Sequence, residues 1–352
     1  MSASNNQMDR HRRTSSVCSS SNAGAPPSVR RRVTFSLVMA LGAGAFAAWV
    51  QANFHVRASD FAQLWWAAHA WLSGTNPYDA VGPEPWRLFQ WLPLLYPLPA
   101  VVVATPFSLV PLDVAEAIFA SVGVGWLTWT LTRDRLLPPS LWLLGSFAMI
   151  TALQTIQWSP ALIAAALTPS FGWLLLAKPS IGLPLLVAYP SRRAVIGCVV
   201  AGSLSMVIWP WWLPQWLAIV RTTSAHITAP ITEPGGFLLA LAGLRWRRAD
   251  ARLLLALACV PHTPALYDAL PLCLLITCAE EGMILWAAAF VCRAAIDRLL
   301  PPEPTMAVMF AINAKLITWL IYLPCLIMVL RRPNVGWTWS RHTAPPPVLA
   351  NQ

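Results

Sequence analysis

Two charged side chains stand out by where they fall in an otherwise apolar chain. Asp60 comes six residues after the end of an uncharged run and just before Phe61-Ala62-Gln63-Leu64. A carboxylate beside the free N–H groups of a starting helix is held ionised. At a membrane surface it could orient or deprotonate a hydroxyl; it could equally be no more than the helix cap. Lys178 interrupts the apolar stretch from Phe171 to Tyr189, with Pro179 directly after it. A cation at that depth must snorkel or find a carboxylate or phosphate. Arg57 and Arg87 flank the Asp60 region, and a guanidinium fork suits phosphate oxygens, though lipid headgroups would satisfy it as well. Gln154 and Gln157, between two apolar runs, could hydrogen-bond a sugar or a neighbouring helix. His262, Tyr267 and Asp268 fall within Pro261–Asp268, where they are either polar groups at a helix break or ordinary loop polarity. Arg221, His226 and Glu233 form a further polar set. His69 lies nine residues beyond Asp60, about 13 Å along a helix, too far for a tight pair.

The elements that must position these groups are helices in a bilayer. The chain has 352 residues, of which 57% are hydrophobic and 11% charged, against about 25% charged in soluble domains. Uncharged runs of spanning length recur almost to the end, so the fold class is all-α, a polytopic integral membrane protein with about 9–11 spanning or re-entrant helices. The first run, Val33–Phe54, covers about 33 Å as helix and follows Arg30-Arg31-Arg32. That triplet predicts a cytoplasmic N-terminus, and the run is read as a retained span. A short interfacial helix is expected from Phe61 to Ser73, capped by Ser59 or Asp60 and closed at Gly74, with Phe61, Leu64, Trp65, Ala68, Trp71 and Leu72 as its apolar stripe. Thr75–Pro85 reads as a turn-rich loop. Prolines 93, 97, 99 and 106 should kink or delay the span at 91–110.

Further spans are expected at 114–131, 136–153, 158–168, 170–189, 194–213, 235–244, 251–270, 271–292 and 306–330. Arg192-Arg193, Arg245/Arg247/Arg248 and Arg331-Arg332 are candidate cytoplasmic boundaries. All three cannot share one side if every candidate is a single full crossing.

The formal charge of +10 is a property of the tails. Residues 1–32 carry six Arg and one Asp, and residues 331–352 carry three Arg. With no aromatic interleaving, this excludes a nucleic-acid-binding face and points to anionic lipid as the partner. The expected organisation is a disordered basic cytoplasmic tail (1–29), an integral membrane domain (30–330) and a short Pro-rich tail (331–352). None of the seven cysteines forms a CxxC pair, and neither they nor the six scattered histidines define a metal site. No Walker loop, dinucleotide fingerprint, HExxH or nucleophile elbow is present. The twenty tryptophans could stack on sugar rings or anchor helices at the interface.

Three segments, SDFAQLWWAAHAWLSGTNPYD at Ser59–Asp79, YPLPAVVVATPFSLVPLDVA at Tyr96–Ala115 and LLLAKPSIGLPLLVAYPSRR at Leu174–Arg193, with PHTPALYDALPL at Pro261–Leu272, resemble the bacterial polytopic glycosyltransferases of family 87. The likeness covers residues 30–280 in organisation. It implies a GT-C-like bundle with its pocket at the noncytoplasmic face, in a bacterial inner membrane. The implied reaction moves a hexose, mannose among them, from a polyprenyl-phosphate donor to a lipid or glycan hydroxyl. Asp60 matches the early acidic residue that serves as base, and Lys178 the Lys-Pro element that meets the donor phosphate, with Arg57 and Arg87 beside it. Tyr78, Gln157, Tyr267 and Asp268 are weaker matches, as sugar or acceptor contacts. No cofactor and no tightly bound metal are implied. The chain departs from the family where Ile156-Gln157 stands for a Gly-Gln element, and it is short. A catalytically inactive GT-C-like subunit of a larger membrane complex is therefore the alternative, and a transporter a third reading.

Overall fold

The computed structural model describes residues 26–54, 59–82, 93–223 and 227–335. Most of both tails, together with Arg57, Arg87 and His226, lies outside the described residues. The protein is an all-α polytopic membrane protein. Among the described residues, three helices are long and apolar enough to cross a bilayer: Val29–Asn53, Leu112–Leu131 and Met306–Arg331. Two more crossings are possible if each of two sharply bent helix pairs is one span.

Helix α1 (Val29–Phe54) pairs with α5 (Leu112–Leu131); the described residues between them hold α2 (Asp60–Leu72), α3 (Pro77–Ala80), α4 (Leu98–Ala104) and a 3-10 helix, Thr105–Leu109. The α1–α5 contact is close because small residues line it. A Cβ on Gly44 would come within 2.1 Å of Ser121 Oγ, and one on Gly125 within 2.9 Å of Ala40 Cβ. Such small-residue seams let helices approach where lipid supplies no hydrophobic drive. The pair runs antiparallel. Arg32 Nη2 donates to the Trp129 carbonyl at 2.8 Å at one end. Near the other end of α1, Gln51 Nε2 donates at 3.4 Å to the carbonyl of Gln154, which belongs to a later helix. Arg32 and Gln51 are about 28 Å apart along α1.

Several expected long spans are broken instead. Residues 136–153 divide into a 3-10 helix, Pro139–Gly145, and α6 (Phe147–Gln154); α7 (Ser159–Leu167) then turns away from α6 by 112°. Residues 170–189 divide at Lys178 into a 3-10 helix, Pro169–Ala177, and α8 (Pro179–Ala188). Helix α9 (Arg192–Ile208) bends by 101° into α10 (Trp212–Thr222). A 3-10 helix, Gly236–Arg245, leads to α11 (Ala249–Cys259). Expected spans 251–270 and 271–292 become α11, a 3-10 helix at Leu266–Leu275, and α12 (Ala279–Leu299). The last long helix comprises α13 (Met306–Ile317), a π-turn at Thr318–Tyr322 and α14 (Leu323–Arg331). Prolines explain several breaks, since each removes an N–H and clashes with the preceding turn. The 3-10 pieces rise about 2 Å per residue, so ten residues reach about 20 Å where α-helix reaches about 15 Å.

These breaks remove the conflict over the arginine clusters. Arg245 Nε donates to the Arg332 carbonyl at 2.8 Å, and Arg248 Nη1 to that of Pro333 at 3.2 Å. Arg332 bridges Asp250 and Glu281. Gly282, beside Glu281, packs on the Pro139 carbonyl, four residues after Arg135. Arg252 donates to the carbonyls of Val187 and Ala188, four residues before Arg192. The basic clusters therefore gather on one face, because each broken segment returns the chain to it.

Helix α2 is more enclosed than an interfacial helix would be. Ser59, not Asp60, is its cap: Ser59 Oγ accepts from the Ala62 N–H at 3.0 Å. The expected apolar stripe is only part of its buried surface. Gln63 is buried as well, whereas Leu72 is 53% exposed. The turn-rich loop holds one short helix, α3, because Asn76 caps it through the Tyr78 N–H and Pro77 supplies a helical φ at its first position.

Candidate functional site

Asp60, Gln157, Lys178, Tyr267 and Asp268, scattered over 209 positions of sequence, converge at the end of the bundle opposite the arginine face. Because Ser59 is the cap, the Asp60 carboxylate is available to point away from its own helix. Its Oδ2 accepts from Gln157 Nε2 and, at 3.4 Å, from the Tyr267 hydroxyl. Lys178 Nζ donates to Gln157 Oε1 at 3.0 Å and to Asp268 Oδ1 at 2.9 Å, and it lies 4.8 Å over the Tyr267 ring. The cation between the two carboxylates is thus the Lys178 ammonium, steadied by an aromatic face.

Each side chain is placed by a break in a helix. Asp60 begins α2, and its backbone N–H bonds the Thr155 carbonyl at 3.0 Å, which ties α2 to the end of α6. Gln157 follows Ile156, a residue at φ 52°. Thr155 caps α6, and the Gln157 N–H reaches back to the Ala152 carbonyl at 2.8 Å. This is a Schellman closure with isoleucine at the position glycine usually takes. A left-handed non-glycine residue costs about 1–2 kcal/mol, but Ile156 is only 1% exposed, and burying such a side chain returns about 1.5–3 kcal/mol. Ile156→Gly should therefore lower stability by about 1–3 kcal/mol, the lost packing exceeding the relieved strain. Thermal unfolding in detergent checks this; a variant more stable than the wild type would contradict it.

Lys178 occupies the joint between the Pro169–Ala177 helix and α8, with its carbonyl accepting from the Ile181 and Gly182 N–H groups. Gly182 permits the tight return, since a Cβ there would lie 1.9 Å from the Leu175 carbonyl oxygen. Tyr267 and Asp268 open the Leu266–Leu275 helix just after the break that ends α11.

The site is graded in burial. Asp268 is 1% exposed and Gln157 4%, whereas Asp60 and Lys178 keep accessible edges. Burial raises the Asp60 carboxyl above the usual aspartate range, against the opposing pull of the Lys178 charge and the Gln157 hydrogen bond. Asp268 Oδ2 is buried with no hydrogen-bond partner among the described residues.

Other candidates fall elsewhere. Tyr78 is buried with its hydroxyl on the Tyr96 carbonyl at 3.3 Å and does not enter the cluster. His69 packs against Trp65, with ring centroids 4.1 Å apart. His262 pairs with Thr228 across a short bridge, and Glu233 accepts from the Thr228 hydroxyl at 3.1 Å. Arg221 is exposed. Sequence reasoning missed Glu116, buried at 2% exposure, which accepts from the Ser59 hydroxyl; its signal was an acid inside an apolar span. No family model, curated protein or solved structure matches this chain.

Proposed function

We propose that this chain is a membrane-embedded hexosyltransferase that moves a sugar from a polyprenyl-phosphate donor to a lipid or glycan hydroxyl. The observation that carries the reading is the convergence of Asp60 and Asp268 around Lys178, with Gln157 joining Asp60 to the ammonium. Asp60 would take the proton of the acceptor hydroxyl as its oxygen bonds the anomeric carbon. The bond from that carbon to the phosphate oxygen breaks, and phosphate leaves with the electron pair. Lysine has three N–H donors; two of those of Lys178 serve Gln157 and Asp268. The third is left for the departing phosphate, whose charge grows in the transition state. The positive-inside bias would make the arginine face cytoplasmic and so put the site at the noncytoplasmic face. In a bacterial cell that membrane would be the inner one.

A purified-protein assay with a panel of polyprenyl-phosphate sugars and lipid acceptors tests the proposal; no turnover of any donor overturns it. In that assay the acid limb of kcat/KM should lie above the ordinary aspartate range of about 4. The base must be ionised, and burial raises its pKa, so activity is lost as pH falls through that raised value. Removing Lys178 takes away a charge that lowers the Asp60 pKa, so any residual activity of Lys178→Ala should show a limb moved further up. A limb in the ordinary range would count against Asp60 as base.

A second reading rests on the same ion pair. Lys178 already neutralised by Asp268 is the arrangement of a structural cation in a noncatalytic subunit. Stable isolation within a larger membrane complex, without bound isoprenoid or turnover, would favour it.

A further inference from the structure

We infer that Glu116 is a positioning residue for Asp60, acting through Ser59; the catalytic part of this inference rests on the transferase reading. Glu116 stands in the second turn of α5 and is 2% exposed. A carboxyl inside a span is costly unless it has a task or a partner. The side-chain partner the structure gives it is Ser59, fully buried, whose hydroxyl donates to Glu116 Oε1. The same Ser59 oxygen accepts from the Ala62 N–H and so closes the first turn of α2. A serine hydroxyl has one proton and can donate once while accepting. With its proton committed to Glu116, its lone pairs face the helix N–H groups.

The next residue is Asp60, whose N–H is fixed by the Thr155 carbonyl. Two elements thus hold the backbone from which the Asp60 carboxylate projects. Helix α6 fixes its amide, and α5, through Glu116, fixes the cap. Asp60 Oδ2 must meet both Gln157 Nε2 and the Tyr267 hydroxyl, so a rotation of the first turn would break the alignment. A displacement of about 1 Å at a reacting group can cost on the order of 100-fold in rate.

The test uses the full-length protein in lipid nanodiscs with Glu116→Ala, Glu116→Gln and Asp60→Asn. Glutamine keeps a carbonyl acceptor for Ser59, whereas alanine removes it. Glu116→Ala should lower kcat on the order of tenfold or more while KM stays within about twofold, and should speed hydrogen exchange at the Ala62 amide. Glu116→Gln should restore both. Unchanged Ala62 exchange in Glu116→Ala, or a glutamine variant as impaired as the alanine one, overturns the inference. If wild-type protein turns over no polyprenyl-phosphate sugar, the transferase reading fails, and if Asp60→Asn retains full transfer, Asp60 is not the base; in either case the catalytic part of the inference falls and the exchange measurement alone still decides whether Glu116 holds the cap.

Discussion

Asp60→Asn should lower sugar transfer by roughly 10²–10⁴-fold, the usual range for a lost general base, while protein level and membrane insertion stay near wild type. The expectation of an intact fold comes from what Asp60 does not do. It is not the cap of α2, because Ser59 accepts the Ala62 N–H. Its other tie is a backbone N–H to Thr155, which substitution leaves alone. The asparagine carbonyl can still accept from Gln157 and Tyr267, so the local hydrogen bonds survive while the charge and the basic oxygen are lost. Burial already disfavours the charged carboxylate here, so a neutral amide should be tolerated. Transfer measured with the best donor of the panel, alongside thermal unfolding, checks both halves. Full activity in the variant would remove Asp60 from the mechanism, and a collapse of folding would mean the carboxylate is structural.

How much of this could be read in advance depends on whether the signal was local. The first helix, the short helix after it and the Leu112–Leu131 span were legible because each is bounded by charge, capping residues or proline. The single residues Asp60 and Lys178 were legible because each interrupts an apolar background. Gln157, Tyr267 and Asp268 stood out only as weak polar marks, and nothing local said that they meet. Their meeting depends on three chain reversals, at Ile156, at Lys178 and after Cys259. Each has a proline within a few residues, at Pro160, Pro179 and Pro261. The break between 153 and 158 was expected, but its left-handed turn was not, because a buried isoleucine takes the place where glycine would have announced it. The long spans expected at 251–270 and 271–292 failed for the opposite reason. Composition alone cannot show that an apolar run is cut by a 3-10 segment. Counting such runs as full crossings produced the conflict over the arginine clusters.

The ion pair at the centre should respond unequally to loss of its two members. Removing one partner of a buried pair costs about 3–5 kcal/mol, because the other charge is stranded. Lys178→Met strands Asp268, which is 1% exposed and already has one oxygen without a partner. Asp268→Asn strands a lysine whose side chain is 14% exposed and which keeps Gln157 as an acceptor. Lys178→Met should therefore destabilise the protein by about 3–5 kcal/mol, and Asp268→Asn by clearly less. The double variant no longer strands Asp268 and leaves only Asp60, which keeps Gln157 and Tyr267 as donors and an accessible edge, so it should recover much of what Lys178→Met loses, as replaced buried pairs often do. Thermal unfolding of the four proteins in one detergent measures this coupling. Additive losses would show that Lys178 and Asp268 do not form a buried pair, and equal losses from the two single variants would show that the two charges are equally costly to strand. A double variant that regains stability but transfers no sugar would place the requirement for the Lys178–Asp268 pair in the chemistry, because folding would then no longer need its charges.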